Sequence, residues 1–460
     1  MKKLSILFMA IFIAVFFING CENRSELIEP TVSAGNADFT TFVTIGNSLT
    51  AGYQSGALYE SSQKYSIGNI ISMQVKGKTF EQPIVSNPGL VGRMEVSSLS
   101  PFTVVENPES GAPTNTGYAK PYNNLGIPGI LLVDALETRQ SPSEYSGENP
   151  FIDMVLRGKG TVVEQALSLQ PTFITAWLGN NDILGYATSG GLLPHTPPAT
   201  FDFLYNTFAG ALASSGAHVL VATLPNVTGI PFFITVGPGV GQALKDMQAA
   251  NPAILGLFYQ TSTAYGLATP DDLLQLKTLL TLTGSSATKY LGDVTGAYYT
   301  ATGAPVPPGV DISQPFGLHP ANPFPNQYVL DPAELAETES VIKSFNTSIR
   351  NAAAQFGFAL SDIYAFFNKV AETGYDINGL HFTNTYVSGG TFGLDGVHPT
   401  SRGYAVIADQ FISAINTKFG SKIPWIDVST VHPSIDLAGY TPGKYGIPNI
   451  SSDVFKNLYY

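Results

Sequence analysis

Hydrophobic positions along the chain fall into two recurring patterns. Short apolar runs, of which Thr40 to Ile45 is the first, alternate with stretches in which apolar residues return every three or four positions. Thr161 to Leu169 has the helical spacing and feeds the run PTFITAWLG, and Phe201 to Ala213 feeds AHVLVATLP in the same way. Near the end, Asp331, Pro332 and Glu334 supply an N-cap, a proline in the first helical turn and a returning glutamate. They predict a helix to about Phe356 that feeds FALSDIY. Strands alternating with helices predict an α/β fold with a parallel sheet covered on both faces, and functional side chains at the carboxyl ends of its strands.

The pattern breaks down in two places. Between Ile234 and Asn326 glycine and proline are frequent, a single helical patch stands out at Asp271 to Leu282, and GAPVPPGVDISQPFGLHPANPFP reads as irregular chain. We read 234–326 as an insertion, either a lid or substrate-selecting subdomain or a decoration of the fold. Residues 419–460 are rich in proline and tyrosine and read as an extended tail over the body. The main domain is expected over 39–418, preceded by a polar, aperiodic tether at 21–38.

The first twenty residues have a different character. Lys2 and Lys3 precede an apolar stretch from Leu4 to Ile18, and Ile18-Asn19-Gly20-Cys21 follows. This is an export signal, too short for a comfortable membrane-spanning helix of about 20 residues. It resembles the bacterial lipobox, in which cleavage before the cysteine leaves a thiol that receives a diacylglycerol; a plain secretory signal is the alternative. Cys21 is the chain's one cysteine, which favours lipidation and excludes an intramolecular disulfide. The expectation is an exported bacterial lipoprotein, held at the outer membrane or cell surface through Cys21. Losing Lys2 and Lys3 with the signal leaves 20 basic against 34 acidic residues, a net charge near −14. No basic cluster could neutralise a run of phosphates, so nucleic acid is not an expected partner, and an acidic body gains nothing from anionic headgroups beyond what the anchor provides.

Candidate chemistry begins at TFVTIGNSLTAG. Ser48 stands just past the carboxyl end of a strand, where a turn exposes a hydroxyl, although serines in such places also cap helices. A hydroxyl needs a base, and of His195, His218, His319, His381, His398 and His432 only His398 has an acid at short range, Asp395, in LDGVHPTSRGY. A tetrahedral oxyanion needs donors. Asn181 in GNND sits just beyond the apolar run Phe173 to Trp177, and Gly129 in NNLGIPG stands at a strand-to-helix junction without a side chain to keep a ligand away; each is also a favoured turn residue. No metal-ligand spacing such as H-E-x-x-H occurs, so no cofactor or metal is implied.

Taken in order, GNSLTAG, N-x-G-x-x-G from Asn124 to Gly129, G-x-N-D from Gly179 to Asp182 and D-x-x-H from Asp395 to His398 resemble the four blocks of the SGNH hydrolases, also called GDSL lipases and esterases. The resemblance implies a three-layer α/β/α fold with about five parallel strands and serine-dependent hydrolysis of a carboxylic ester. Ser48 would be the nucleophile, His398 the base and Asp395 its orienting acid. The Ser48 and Gly129 N–H groups and the Asn181 amide would hold the oxyanion. Asn47 departs from the family's aspartate at that place, where an amide can equally bond the backbone. The implied substrate is a small-molecule or lipid ester, and Leu273, Leu274, Leu279 and Leu280 of the insertion point to acyl chains unless they form core. An O-deacetylase acting on carbohydrate, and a surface lipoprotein that binds without turnover, are the alternatives.

Overall fold

The computed structural model describes residues 32–77, 79–90, 92–261, 265–434, 443–450 and 452–455. The expected signal segment 1–20, Cys21 and most of the expected tether lie outside the described residues. Five parallel strands form the central sheet: β1 Phe42–Gly46, β2 Asn124–Gly126, β3 Phe173–Trp177, β4 His218–Ala222 and β5 Ala359–Ser361, in the order β5-β4-β3-β1-β2. Every residue of β1 and β3 is buried, as a parallel sheet covered on both faces requires.

The helices used below are α1 Ser48–Ala51, α2 Ile67–Gln74, α3 Val162–Ser168, α4 Asn181–Thr188, α5 Pro198–Ser214, α6 Val236–Ala250, α7 Pro332–Phe356 and α8 Ser401–Phe419. One face of the sheet carries α2 and α8: Gly68 presses on Thr44, and Phe411 meets the Trp177 ring edge-on at 5.7 Å. The other face carries α3, α5 and α7, with Phe201 stacked on Phe345 at 3.8 Å. The fold is therefore a three-layer α/β/α sandwich. The capping box that opens α7 is formed: Asp331 accepts from the Ala333 and Glu334 N–H groups, and Glu334 accepts from the Asp331 N–H.

Three expectations need correction. The polar stretch before Phe39 is not free where it is described, since Ser33 pairs with Lys422 and the Asn36 N–H donates to the Phe419 carbonyl. Backbone pairing of this kind leaves no side-chain periodicity to read. The helix expected at 271–282 is only Pro270–Leu274; Leu276 takes a left-handed φ of 55°, and Leu279–Leu280 form a strand with Val329–Leu330. A fifteen-residue helix, α6, occupies VGPGVGQALKDMQAA, where glycine and proline argue against one. Packing overrides propensity there, because a Cβ on Gly239 would stand 2.6 Å from the Tyr445 carbonyl oxygen and one on Gly241 2.8 Å from that of Pro270. The tail supplies the first of those neighbours, adds Asn449–Ile450 to the strand Phe102–Glu106, and sets Phe455 edge-on to Phe232.

Buried carboxyls set the pH dependence of stability. Burial pushes Asp409 up to about 7; one oxygen accepts the Ile426 N–H at 2.8 Å, and the other has no partner among the described residues. Burial likewise pushes Glu334 up to about 7 and Asp182 to about 6. Carboxyls raised in this way bind protons more tightly in the folded than in the unfolded chain, so stability falls as pH rises from about 4 to 7. We predict a melting temperature that drops between pH 5.5 and pH 8, with a drop shallower by about 2 °C in Asp409→Asn. Equal slopes for the two proteins would remove Asp409 from this account.

Candidate active site

The first strand ends on a residue that cannot carry a side chain. A Cβ on Gly46 would lie 1.9 Å from Thr50 Oγ1 and 2.8 Å from the Trp177 carbonyl oxygen, so the chain turns tightly and α1 starts at once. Asn47, not Ser48, caps that turn: its Oδ1 accepts the Leu49 N–H at 3.1 Å. The cap is thus the neighbour's work, and the Ser48 hydroxyl is left for other use. Asn124 fastens the turn to β2, donating to the Thr50 carbonyl at 3.0 Å and accepting the Gly126 N–H at 2.9 Å.

His398 Nε2 lies 2.9 Å from Ser48 Oγ, and its Nδ1 lies 3.0 Å from Asp395 Oδ2. The carboxylate is completely buried, yet four N–H groups reach it: His398 Nδ1–H, and the backbone N–H groups of Gly56 at 2.8 Å, Val397 at 2.9 Å and His398 at 2.8 Å. Burial pushes its carboxyl up, but the neighbouring imidazole and these hydrogen bonds outweigh that and hold it below the ordinary aspartate range. An ionised Asp395 fixes the proton on Nδ1, so the Nε2 lone pair faces the serine. The loop after α1 braces this pair. Gly56 at φ 80° and Ser55 at φ 52° turn it so that the Gly56 N–H meets Asp395 while Ser55 Oγ accepts the Leu394 N–H at 3.1 Å. The Tyr53 ring lies against the imidazole, centroids 4.7 Å apart.

Gly129 and Asn181 open onto the same groove as Ser48 and His398. Gly129 has φ 82°, a backbone that a side chain would strain. Asn181 opens α4, and its amide donates to the Ile130 carbonyl at 2.9 Å, which fixes its plane; an amide carries two protons, so one is left for a ligand. Next to it, Asp182 is buried and accepts from the Leu132 N–H and from Thr196 Oγ1. Of the six histidines, His398 is the one bonded to Ser48. His195 lines the groove, its Nε2 3.2 Å from Glu337, while exposed His381 pairs with Asp376.

The groove holds about 920 Å³, and its walls are mostly apolar: Leu131, Val133, Leu184, Leu193, Phe203 and Leu204. Among the described residues none between 234 and 326 lines it, so the insertion is not a lid over Ser48. Instead it packs against the loop that carries Asp395 and His398, with Leu282 on Gly396 and, just before the insertion, the Phe232 N–H donating to the Gly396 carbonyl. Leu273, Leu279 and Leu280 are core and Leu274 is half-buried, and none of the four lines the groove. The walls come from 131–133, 144–146 and 184–204, stretches whose sequence pattern suggests no part in the site. One signal was available there: GGLLPHTPP sets two leucines between glycines and prolines, outside any helical register. A second cavity of about 640 Å³, bounded by Ser55, Tyr59, Arg93 and Leu394, is lined by none of Ser48, Gly129, Asn181 and His398.

The parallel sheet and the four blocks around one groove form the arrangement that the SGNH resemblance implies. No protein-family model matches the chain, and no curated protein does. Among solved structures the chain is similar to LAE5, an alpha/beta hydrolase enzyme from the metagenome of Lake Arreo, Spain, at 11% identity over 83% of this chain and 96% of that one, TM-score 0.35. A mutant of Axe2, an acetyl-xylooligosaccharide esterase from Geobacillus Stearmophilus, matches at 11% identity over 83% and 96%, TM-score 0.34. Phospholipase A1 from Streptomyces albidoflavus matches at 12% identity over 82% and 98%, TM-score 0.28.

The cap geometry yields a direct prediction for Asn47. An aspartate oxygen can accept the same Leu49 N–H, so Asn47→Asp is expected to melt within about 1 °C of the native protein, whereas Asn47→Ala loses roughly 1 kcal/mol. Equal melting of all three proteins, followed by calorimetry, would show that the cap does not hold the turn.

Proposed function

We propose that the chain hydrolyses carboxylic esters through an acyl-enzyme on Ser48. The observation that supports this most is the unbroken hydrogen-bond chain from Ser48 Oγ through His398 to buried Asp395, opening on an apolar groove. In the first half-reaction His398 Nε2 takes the Ser48 proton as Oγ attacks the ester carbonyl. The resulting oxyanion is held by the Ser48 and Gly129 N–H groups and the Asn181 amide. Collapse breaks the ester C–O bond, and His398 gives its proton to the leaving alcohol. Water then repeats the sequence on the acyl-serine, releasing the acid and restoring the hydroxyl.

The apolar walls favour an alkyl acyl chain. Each methylene buried against them contributes about 0.8 kcal/mol, which an acetyl group cannot exploit. An O-deacetylase on the same machinery is the second reading. A non-catalytic lipoprotein would not need four donors spent on one buried carboxylate. The proposal includes export and attachment to a membrane through a diacylglycerol on Cys21, supported by the sequence Ile18-Asn19-Gly20-Cys21.

Two measurements test this. On p-nitrophenyl esters from acetate to dodecanoate, Ser48→Ala and His398→Ala are each expected to lose at least about 10³-fold in kcat, with kcat/KM of the native enzyme rising from acetate to octanoate. Turnover undiminished in Ser48→Ala would sink the assignment, and a strict preference for acetate would favour the deacetylase. Expressed with its leader in a Gram-negative host, the native chain should partition with membranes and Cys21→Ala should not; identical partitioning would refute the anchor.

A further inference from the structure

Three consecutive residues after Gly129 are each held by a side chain. The Ile130 carbonyl accepts from Asn181 Nδ2, the Leu131 N–H donates to Asp134 at 2.9 Å, and the Leu132 N–H donates to Asp182 at 2.9 Å. Asp134 spends its other oxygen locally, on the Thr138 and Ser143 hydroxyls. Asp182 alone reaches across the site. Its second oxygen accepts Thr196 Oγ1 at 2.8 Å, and its backbone carbonyl accepts the Thr196 N–H at 2.8 Å. Thr196 belongs to the wall of the substrate groove. Burying a carboxylate is costly unless its oxygens are met, and Asp182 is buried with both oxygens directed at segments that border the groove.

We infer that Asp182 is a positioning residue for the oxyanion hole: its carboxylate locks the Gly129 loop to the groove wall while its neighbour Asn181 grips the same loop one peptide earlier. The inference rests on the esterase reading and deepens it, because it gives the aspartate of GNND a role that the substrate never sees directly. Asp182 touches no reacting atom. Its effect is transmitted through Leu132 to Gly129, whose left-handed backbone depends on how the following residues are held, and through Thr196 to the wall. Without the carboxylate the loop could relax by a fraction of an ångström, and such a shift is felt where charge develops more than where the ground-state ester binds.

The test compares Asp182→Ala, Asp182→Asn and Thr196→Val with native enzyme on one p-nitrophenyl ester, together with affinity for a trifluoromethyl ketone that adds to Ser48 as a tetrahedral oxyanion. Asp182→Ala is expected to lose 10- to 100-fold in kcat with KM within threefold, and ketone affinity should fall by the same factor. Asp182→Asn should recover most of the loss, since Oδ1 can still accept the Leu132 N–H and the amide can donate to Thr196. Should Asp182→Ala fail to fold, Thr196→Val carries the same signature, expected at about fivefold in kcat. A loss confined to KM, an unchanged kcat, or an asparagine variant as impaired as alanine would each overturn the inference. Native turnover that survives Ser48→Ala would instead overturn the esterase reading and this inference with it.

Discussion

The site depends on a buried negative charge. Asp395 has no access to solvent, and an unpaired carboxylate there would be neutralised or expelled. It stays ionised because its own loop supplies two backbone N–H groups, the His398 ring a third donor, and Gly56, 339 residues earlier, a fourth. The fourth contact gives the fold its functional coherence. The turn that presents Ser48 continues directly into the segment that braces Asp395, so the serine and the imidazole–carboxylate pair are registered by one short piece of chain. Strain at Ser55 and the Tyr53 ring against the imidazole belong to that brace.

Strand order brings the remaining groups together. Gly129, Ser48 and Asn181 follow β2, β1 and β3, which are adjacent in the sheet. Parallel neighbours stand about 4.8 Å apart, so three strands deliver three ends within about 10 Å of one another on one edge. Close packing sharpens that placement: Gly46 has no room for a side chain, and a Cβ on Gly126 would lie 2.4 Å from the Ala51 nitrogen. Gly46 and Gly126 are therefore steric requirements of bringing α1 down onto the sheet.

Much of this was legible in the sequence because it is local. Ser48 and Asn181 each open a helix after an apolar run, His398 stands three residues before α8, and the Asp331 capping box marks α7 without ambiguity. Asn47 resolved the largest local doubt, since by taking the cap it frees the serine. What could not be read was set by distant packing. Helix α6 survives its glycines only because Pro270, Tyr445 and Ile447 come close, and the leucines of the insertion are core because β-pairing and α6 bury them. The groove wall was not legible for the opposite reason: Leu193, Phe203 and their neighbours are apolar and partly exposed, in a loop and a helix start whose pattern says nothing about which face meets Ser48. The insertion looked like the selector because it was long, and length carries no information about side.

The central claim is that His398 and Asp395 make Ser48 uniquely nucleophilic. Labelling the intact protein with a fluorophosphonate and mapping the adduct by peptide mass spectrometry tests it most directly. The account predicts one adduct, on the peptide containing Ser48, formed rapidly in the native protein and lost in His398→Ala. An unmodified Ser48, or labelling of Ser48 that proceeds equally well without His398, would contradict it.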